Sequence, residues 1–143
     1  MSVLANILSD LSTDLDAVSG FAPYLPNREA SDTTGTCHRK YKLRTAAGSA
    51  ELGATQAGGT SIEVLRTLEL IMHWNPEGIE STVEGTIADD ELSIFGVMLK
   101  VSNWPSGTRT ILPGSITRED VSTTMIRITY EFEARYLEQG TFT

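Results

Sequence analysis

With 143 residues, 40% of them hydrophobic and 21% charged, the chain is long enough to bury a core as one globular domain spanning residues 1–143. Its net charge of −8 argues against broad binding to nucleic acids or membranes, since phosphate contacts need a basic surface. No apolar run is long enough to cross a bilayer, and a single cysteine, Cys37, excludes an internal disulfide.

The first predicted element is an amphipathic helix over residues 2–18, which Gly20 ends. Its apolar residues recur at intervals of three and four, which places them on one face. They are Val3, Leu4, Ile7, Leu8, Leu11, Leu15 and Val18. Residues 21–36 hold two prolines and several turn formers, so we predict a loop there.

A strand with a basic face is predicted next, in the stretch CHRKYKLRT. Alternation puts Cys37, Arg39, Tyr41 and Leu43 on one face and His38, Lys40, Lys42 and Arg44 on the other. The Gly/Ala-rich residues at about 46–60 have almost nothing to bury, so we predict a flexible hairpin tip. Glu51 and Gln56 in this tip are candidate assembly residues.

Residues 60–74 are predicted to form a long central strand that pairs with the basic strand as a hairpin. Asn75-Pro76 and Gly78 break it. Ser81 and Glu84 have the spacing of a capping box, so a second helix is predicted to begin there and run toward Lys100. Its expected core residues are Val83, Ile87, Ile94, Phe95, Met98 and Leu99.

Two final strands are predicted around TRTILPGSITRED and TTMIRITYEFEARYLE. Pro113 indicates an edge strand or a bulge in the first of them. In the second, strict alternation separates Ile126, Ile128, Tyr130, Phe132, Ala134 and Tyr136 from Arg127, Glu131, Glu133 and Arg135. The predicted fold class is α+β, with an N-terminal helix, an antiparallel or mixed sheet with long hairpins, and a middle helix packed on one face.

The histidines and the cysteine are the first candidates for a reactive site. Cys37 and His38 are adjacent on a predicted strand, so their side chains point to opposite faces and do not form a nucleophile and its base. His73 could approach either from the neighbouring strand, but zinc would still lack a fourth ligand. We therefore expect Cys37 to be buried and His38 to lie on a solvated basic face.

Acidic clusters are the second group of candidates. On a helix, Asp89, Asp90 and Glu91 fan out over a wide arc, which favours solvent exposure over metal binding. Glu131 and Glu133 have a spacing that paired-carboxylate catalysis can use, but two arginines share their face and indicate charge complementarity instead. The sequence thus predicts no catalytic, metal-binding or cofactor-binding residue, and no enzyme.

Trp74 and Trp104 both lie beside predicted turns. Exposed tryptophans in such places serve as binding anchors. Tryptophans beside turns more often cover the end of a hydrophobic core, and we expect that role for these two.

The order of these elements, ending in ITYEFEARY and the tail LEQGTFT, is similar to that of the tail terminator (tail completion) proteins of long-tailed bacteriophages. The resemblance implies a structural virion protein, assembled in the host cytoplasm, that forms a hexameric ring on the viral tail. Such a ring caps the tail tube and makes the head–tail connection. The implied partners are further copies of the chain, the tail tube protein and a neck or head-completion protein. DNA would be only a passing cargo, and neither a membrane nor a cofactor is implied.

Charged strand residues are the candidate subunit interface of such a ring, because repeated head-to-tail contacts can join a basic strand to an acidic one. They are Lys40, Lys42, Arg44, Arg127, Glu131, Glu133 and Arg135. Alternatively, these strands are neighbours within one subunit and their charges pair there. Two other functions stay open: another phage tail or connector subunit, such as a tail tube or head-completion protein, and a small enzyme or ligand-binding domain with a concave site.

Overall fold

The computed structural model describes residues 2–24, 36–52 and 60–140. This part of the chain contains two helices and five strands. They are α1 (Val3–Asp16), β1 (Ala22–Pro23), β2 (Lys40–Leu52), β3 (Thr60–Trp74), α2 (Val83–Met98), β4 (Thr108–Ser122) and β5 (Met125–Gly140). A short 3-10 turn, Val101–Asn103, follows α2. The predicted α+β class is confirmed.

The strands form one mixed sheet in the order β1-β2-β3-β5-β4. β2, β3, β5 and β4 pair antiparallel with their neighbours, while β1 adds two residues parallel to the start of β2. β3 and β5 pair along their whole length, from Thr60 opposite Gly140 to Trp74 opposite Ile126. These two long strands are the centre of the sheet.

The hydrophobic core lies between one face of the sheet and the two helices. Alternate residues of β5 from Ile126 to Tyr136 are buried, as the alternation predicts. They meet alternate residues of β3, including Leu68 and Trp74, and the apolar stripe of α1 that contains Leu11. Since all these groups form one contiguous cluster, the helices are anchored to the sheet mainly by apolar burial.

The first helix begins and ends close to its predicted limits. Ser2 caps it by accepting a hydrogen bond from the Ala5 amide at 3.0 Å. The carboxylate of Glu138, at the end of β5, accepts a hydrogen bond from the Leu4 amide at 3.2 Å. Gly20 follows the helix with φ +89°, a conformation that side chains disfavour.

The first strand region differs from its prediction. Residues 36–39 form a turn, and β2 begins only at Lys40, because Arg39 takes a left-handed conformation with φ 60°. Cys37 therefore does not share a strand face with Tyr41, and lies in a separate small cluster with Tyr24 and Met125. The predicted loop over residues 21–36 also contains β1. This strand has only two residues, which are too few to give a strand pattern in the sequence.

The predicted hairpin tip at 46–60 is too wide. β2 continues to Leu52 and pairs with β3 through a register shift between Thr45 and Gly48. Backbone hydrogen bonds hold this Gly/Ala-rich segment in the sheet, so it needs no large side chains to be a strand. The remainder of the predicted tip, residues 53–59, lies outside the described residues, as does Gln56.

The predicted capping box of α2 is wrong. Thr82 occupies the N-cap position without a side-chain cap bond, and Ser81 lies one residue before it. Glu84 binds Arg118 of β4 instead of the backbone at the helix start. The predicted core residues of α2 are otherwise correct, with Phe95 and Leu99 partly buried and the other four buried.

Pro113 lies in an edge strand beside a bulge, as predicted. β4 is the outer strand of the sheet, and its register shifts between Pro113 and Ile116. Two more shifts, at Thr108/Thr110 and Asp120/Ser122, lie near the strand's ends, so the three shifts leave two regular segments, residues 110–113 and 116–120.

Candidate interaction surface

The face of the sheet opposite the helices carries most of the predicted interface residues, and we call it the charged face. Its residues alternate with the core residues in β3 and β5, so they point away from α1 and α2. The charged face includes Lys42 and Arg44 of β2, Glu63 and Glu69 of β3, Glu119 of β4, and Arg127, Glu131, Glu133 and Arg135 of β5. Both signs of charge are interspersed on it.

The basic residues of β2 lie at one end of this face. Arg44 binds the Glu69 carboxylate of β3 at 2.9 Å, directly across the strand pair. Lys40 and Lys42 place their ammonium groups 6.0 and 5.4 Å from the centre of the Tyr24 ring. The Tyr24 ring also packs against the His73 ring at 4.6 Å. These three residues, Lys40, Lys42 and Arg44, are called the basic row below, and each has at least one contact within its own chain.

The charged residues of β5 also have partners in neighbouring strands. Arg127 binds Glu119 of β4, and Arg135 lies 3.4 Å from Glu63 of β3. Glu131 accepts a hydrogen bond from the Ser115 hydroxyl at 2.7 Å. β3 separates β5 from β2, so the predicted basic and acidic strands are not neighbours. The charges pair instead with β3 and β4, in cross-strand contacts of the kind the alternative interpretation expected.

The far end of β2 is exposed on both faces. Residues 47–51 are all exposed, although in a sheet with one buried face every second residue would be covered. Glu51 is among them, directly opposite Glu63 in the β2–β3 register. Because like charges opposite each other are unfavourable, this part of the hairpin gains little within one molecule.

Both edges of the four-strand antiparallel unit are open in the described part of the chain. β1 covers β2 only at Lys40 and Tyr41, so no described strand lies beside residues 42–52. β4 is uncovered along its outer edge and exposes Leu112, Ile116 and Val121. The two edges therefore expose backbone hydrogen-bonding groups, apolar side chains and charged side chains.

The helices carry a different charge from the sheet. Three acidic residues lie in α1 and four in α2, and neither helix contains a lysine, arginine or histidine. Arg39 and Arg118 reach two of these acids from the sheet side. The negative net charge of the chain is thus concentrated on the helical layer, while the charged face is mixed.

Asp90 departs from the predicted exposure of the Asp89–Asp90–Glu91 cluster. Its side chain is buried and accepts hydrogen bonds from Arg39 at 2.7 and 2.9 Å and from the Trp74 indole at 2.9 Å. Burial of a carboxylate needs such partners, and they come from segments distant in sequence. Among the described residues, no three acidic, histidine or cysteine side chains converge as a metal site requires.

The Cys37–His38 region has no arrangement of nucleophile and base. Cys37 is buried, as predicted, with its Sγ atom 3.4 Å from the Thr124 carbonyl oxygen. His38 is exposed, and its Nδ1 atom accepts a hydrogen bond from the Asn75 amide. Partial burial and the neighbouring Arg39 charge lower the pKa of His38. His73 is buried on the other side of β3 from the core, where its Nδ1 atom lies 2.9 Å from the Lys40 carbonyl oxygen.

Both tryptophans cover the core, as predicted. Trp74 is fully buried, and Trp104 is partly buried with its indole donating to the Met98 carbonyl oxygen at 2.9 Å. A shallow cleft lies elsewhere, beside the start of α1, and is lined by Val3, Gly107, Leu137 and Glu138. Ser106 and Gln139 complete its lining, which offers one carboxylate and no histidine, cysteine, lysine or arginine, and this is not a catalytic set.

The residues of β4 were not among the predicted interface residues. Arg109 lies near one end of the strand and Glu119 and Asp120 near the other, separated by Pro113 and its bulge. In the sequence, TRTIL before Pro113 carries one arginine and no acid, and TREDV after it carries two acids and Arg118, which binds Glu84 and Asp120. Neither described helix is long and apolar enough to cross a membrane.

Comparisons with known proteins return likenesses among solved structures. No protein-family model matches the chain, and no curated protein matches it. Among solved structures, the chain is similar to one from the virion of a native gene transfer agent (GTA) particle, with a TM-score of 0.41 and 13% sequence identity. The alignment covers 97% of this chain and 92% of that one. At this TM-score the likeness carries no argument about what the chain does.

Proposed function

We propose that the chain is a structural virion protein, a ring-forming tail terminator that caps the tail tube and joins the tail to the head or neck. The observation that carries this proposal is the far end of the β2–β3 hairpin, where residues 47–51 are exposed on both faces of the sheet. A strand with nothing to bury in its own molecule is suited to burial against another chain.

Strand length supports an assembly role. β3 has 15 residues and β5 has 16, which correspond to about 50 Å of extended chain. A compact domain of this size has a radius of gyration of about 14 Å, or a diameter of roughly 37 Å. Strands of this length give the sheet long edges, along which a neighbouring chain can pair.

The charge distribution fits a protein that DNA passes without binding. The net charge is −8, and Arg44, Arg118, Arg127 and Arg135 each pair with a carboxylate of the same chain. Phosphate binding needs cations that are not already neutralised in this way. The described residues thus offer little basic surface for a stable complex with DNA.

Electron microscopy with negative stain and native mass spectrometry, over a range of protein concentrations, tests the proposal. We expect discrete rings with six-fold symmetry and the mass of six chains. Long tubes would instead assign the chain to the tail tube. A monomer at every concentration, also in the presence of isolated tails, would contradict both virion roles.

A further inference from the structure

We propose that the open edge of β2 in one copy lies antiparallel against β4 of the next copy, so that the sheets of neighbouring subunits meet edge to edge. This inference rests on the proposed ring and identifies its subunit contact. The contact is formed by residues 42–52 of one copy and the two regular segments of β4 of the next. Each edge is thus covered by a second copy of this chain.

Strand direction is the first reason. β2 and β3, β3 and β5, and β5 and β4 are each antiparallel, so β4 runs opposite to β2. A rotation about an axis parallel to the strands preserves these directions. β4 of a rotated copy therefore arrives antiparallel to β2, in the more stable of the two pairing modes.

Charge complementarity at the hairpin end is the second reason. Glu51 lies in one cross-strand row with Glu63 and Leu137, and the Leu137 amide donates to the Gly107 carbonyl oxygen at 2.9 Å. Arg109 is two residues from Gly107, or about 7 Å along the strand. Arg109 is exposed, and no carboxylate of the described residues lies within ion-pair distance of it. In an edge-to-edge contact, Glu51 of one copy comes near Arg109 of the next.

The opposite end of the edge has the reverse charges. Lys42 lies in a row with Ile71, Thr129 and Thr117, and Glu119 is two residues beyond Thr117 on the charged face. Glu119 of one copy, which lies on the charged face, therefore comes near Lys42 and the other basic residues of β2 in the next. From the hairpin end of the sheet toward the opposite end, β2 carries an acid and then bases, and β4 carries a base and then an acid.

These charges cannot meet within one molecule. β3 and β5 lie between β2 and β4, so the two edges are three strand spacings, or about 14 Å, apart. Glu119 and Asp120 also bind Arg127 and Arg118 of their own copy, whereas Glu51 and Arg109 have no oppositely charged partner among the described residues. The Glu51–Arg109 pair is therefore the part of this order that only a second copy can complete. Pro113 and the bulges of β4 interrupt its centre, which limits pairing with unrelated strands and leaves one regular segment near each charged end.

A charge exchange tests the contact. We expect Arg109→Glu and Glu51→Arg each to weaken association of the full chain by about tenfold at low salt, in sedimentation velocity experiments. The double variant restores complementarity between copies and should recover association to within about twofold. Lys100→Glu, an exposed residue after α2, makes the same charge change as Arg109→Glu away from both edges and should leave association unchanged. Failure of the double variant to recover would overturn the proposed contact.

Cross-linking provides a second measurement. Ser49 and Thr110 lie in the same row, on opposite edges, and both are exposed. With a short bifunctional thiol reagent, the variant carrying both Ser49→Cys and Thr110→Cys should give a ladder of covalent oligomers. Each single variant should give no covalent oligomers, because each introduces a thiol on only one edge. A dimer formed through Ser49→Cys alone would instead indicate that β2 lies against β2 of the next copy. A dimer formed through Thr110→Cys alone would indicate that β4 lies against β4.

The outcomes separate this contact from the proposed function. Six-membered rings without a ladder would overturn the edge contact and leave the tail terminator proposal standing. A ladder in long tubes would support the contact and contradict the terminator. A chain that stays monomeric and forms no ladder would overturn both.

Discussion

Arg39 and Asp90 are 51 positions apart in the sequence and form a bidentate ion pair. The pair joins the turn before β2 to the middle of α2. The Asp90 side chain is 6% exposed, that of Arg39 is 26% exposed, and Trp74 of β3 donates to the same carboxylate. The Arg39 guanidinium also lies 5.1 Å from the centre of the Phe21 ring. One carboxylate thus joins the helix, the central strand and the turn.

Asp90→Ala should destabilise the chain by about 2–4 kcal/mol, because it leaves a guanidinium and an indole N–H without their acceptor. The range allows for the partial exposure of Arg39, which lets water replace part of the interaction. Urea unfolding followed by circular dichroism measures the change. Asp89→Ala, at the exposed neighbouring position, is the matched control and should stay within about 0.5 kcal/mol of the wild type. Equal effects of the two substitutions would contradict the assigned role of Asp90.

Two glycines should respond to alanine with opposite signs. A Cβ atom at Gly48 would lie 2.3 Å from the Leu65 carbonyl oxygen, so the backbone of the bulge must move. We expect Gly48→Ala to cost about 1–3 kcal/mol. Gly96 in α2 has no atom within 4 Å of such a Cβ, and Gly96→Ala should stabilise by ~0.5–1 kcal/mol because alanine favours a helix. Urea midpoints that move in the same direction would refute this account.

The sequence was sufficient to predict the long strands because apolar residues recur at alternate positions along them, strictly in β5 and with Arg66 as an interruption in residues 60–74. Residues 60–74 and the β5 segment are examples, and the structure confirms both. Asp90 was not predicted to be buried, since a charge in a helical pattern marks an exposed position unless its partners are known. Those partners, Arg39 and Trp74, are brought to it only by the tertiary fold.

The hairpin and the charges show the same division between local and tertiary information. Small residues at 46–50 give no side-chain signal, so the extension of β2 depends on the register that β3 imposes. The sequence also left open whether charged strands pair within or between subunits. The pairs Arg44–Glu69 and Arg135–Glu63 now show pairing within one copy, whereas Glu51 and Arg109 remain candidates for contacts between copies.

Buried tyrosines should make the fold sensitive to alkaline pH. Burial, followed by the hydrogen bond to Asp16, raises the pKa of Tyr41 above its usual value of 10.0. Burial likewise raises the pKa of Tyr130 and of Tyr136. Because the folded state holds these protons more tightly than the unfolded state, their contribution to stability is complete below about pH 10 and is lost as the pH rises above it.

Absorbance at 295 nm, measured with circular dichroism during an alkaline titration, tests this expectation. Tyrosine ionisation should coincide with unfolding, and Tyr41→Phe should reduce the slope of stability against pH above pH 10. The reference is the chain in urea, in which all four tyrosines should titrate near their ordinary pKa. Full ionisation of the four tyrosines in a chain that is still folded would exclude this mechanism.

Reversal of the basic row should impair assembly. The variant carrying Lys40→Glu and Lys42→Glu replaces two cations of β2 by anions, so the acidic end of a neighbouring β4 would be repelled instead of attracted. We expect weaker association at low salt and a smaller difference from the wild type at high salt, where both are screened. Sedimentation velocity at two salt concentrations measures this, with Lys100→Glu, which makes half of that charge change away from both edges, as the control. Both lysines also lie near the Tyr24 ring, so a thermal melt must establish that the variant is folded. A folded variant that associates like the wild type at low salt would remove the basic row from the interface.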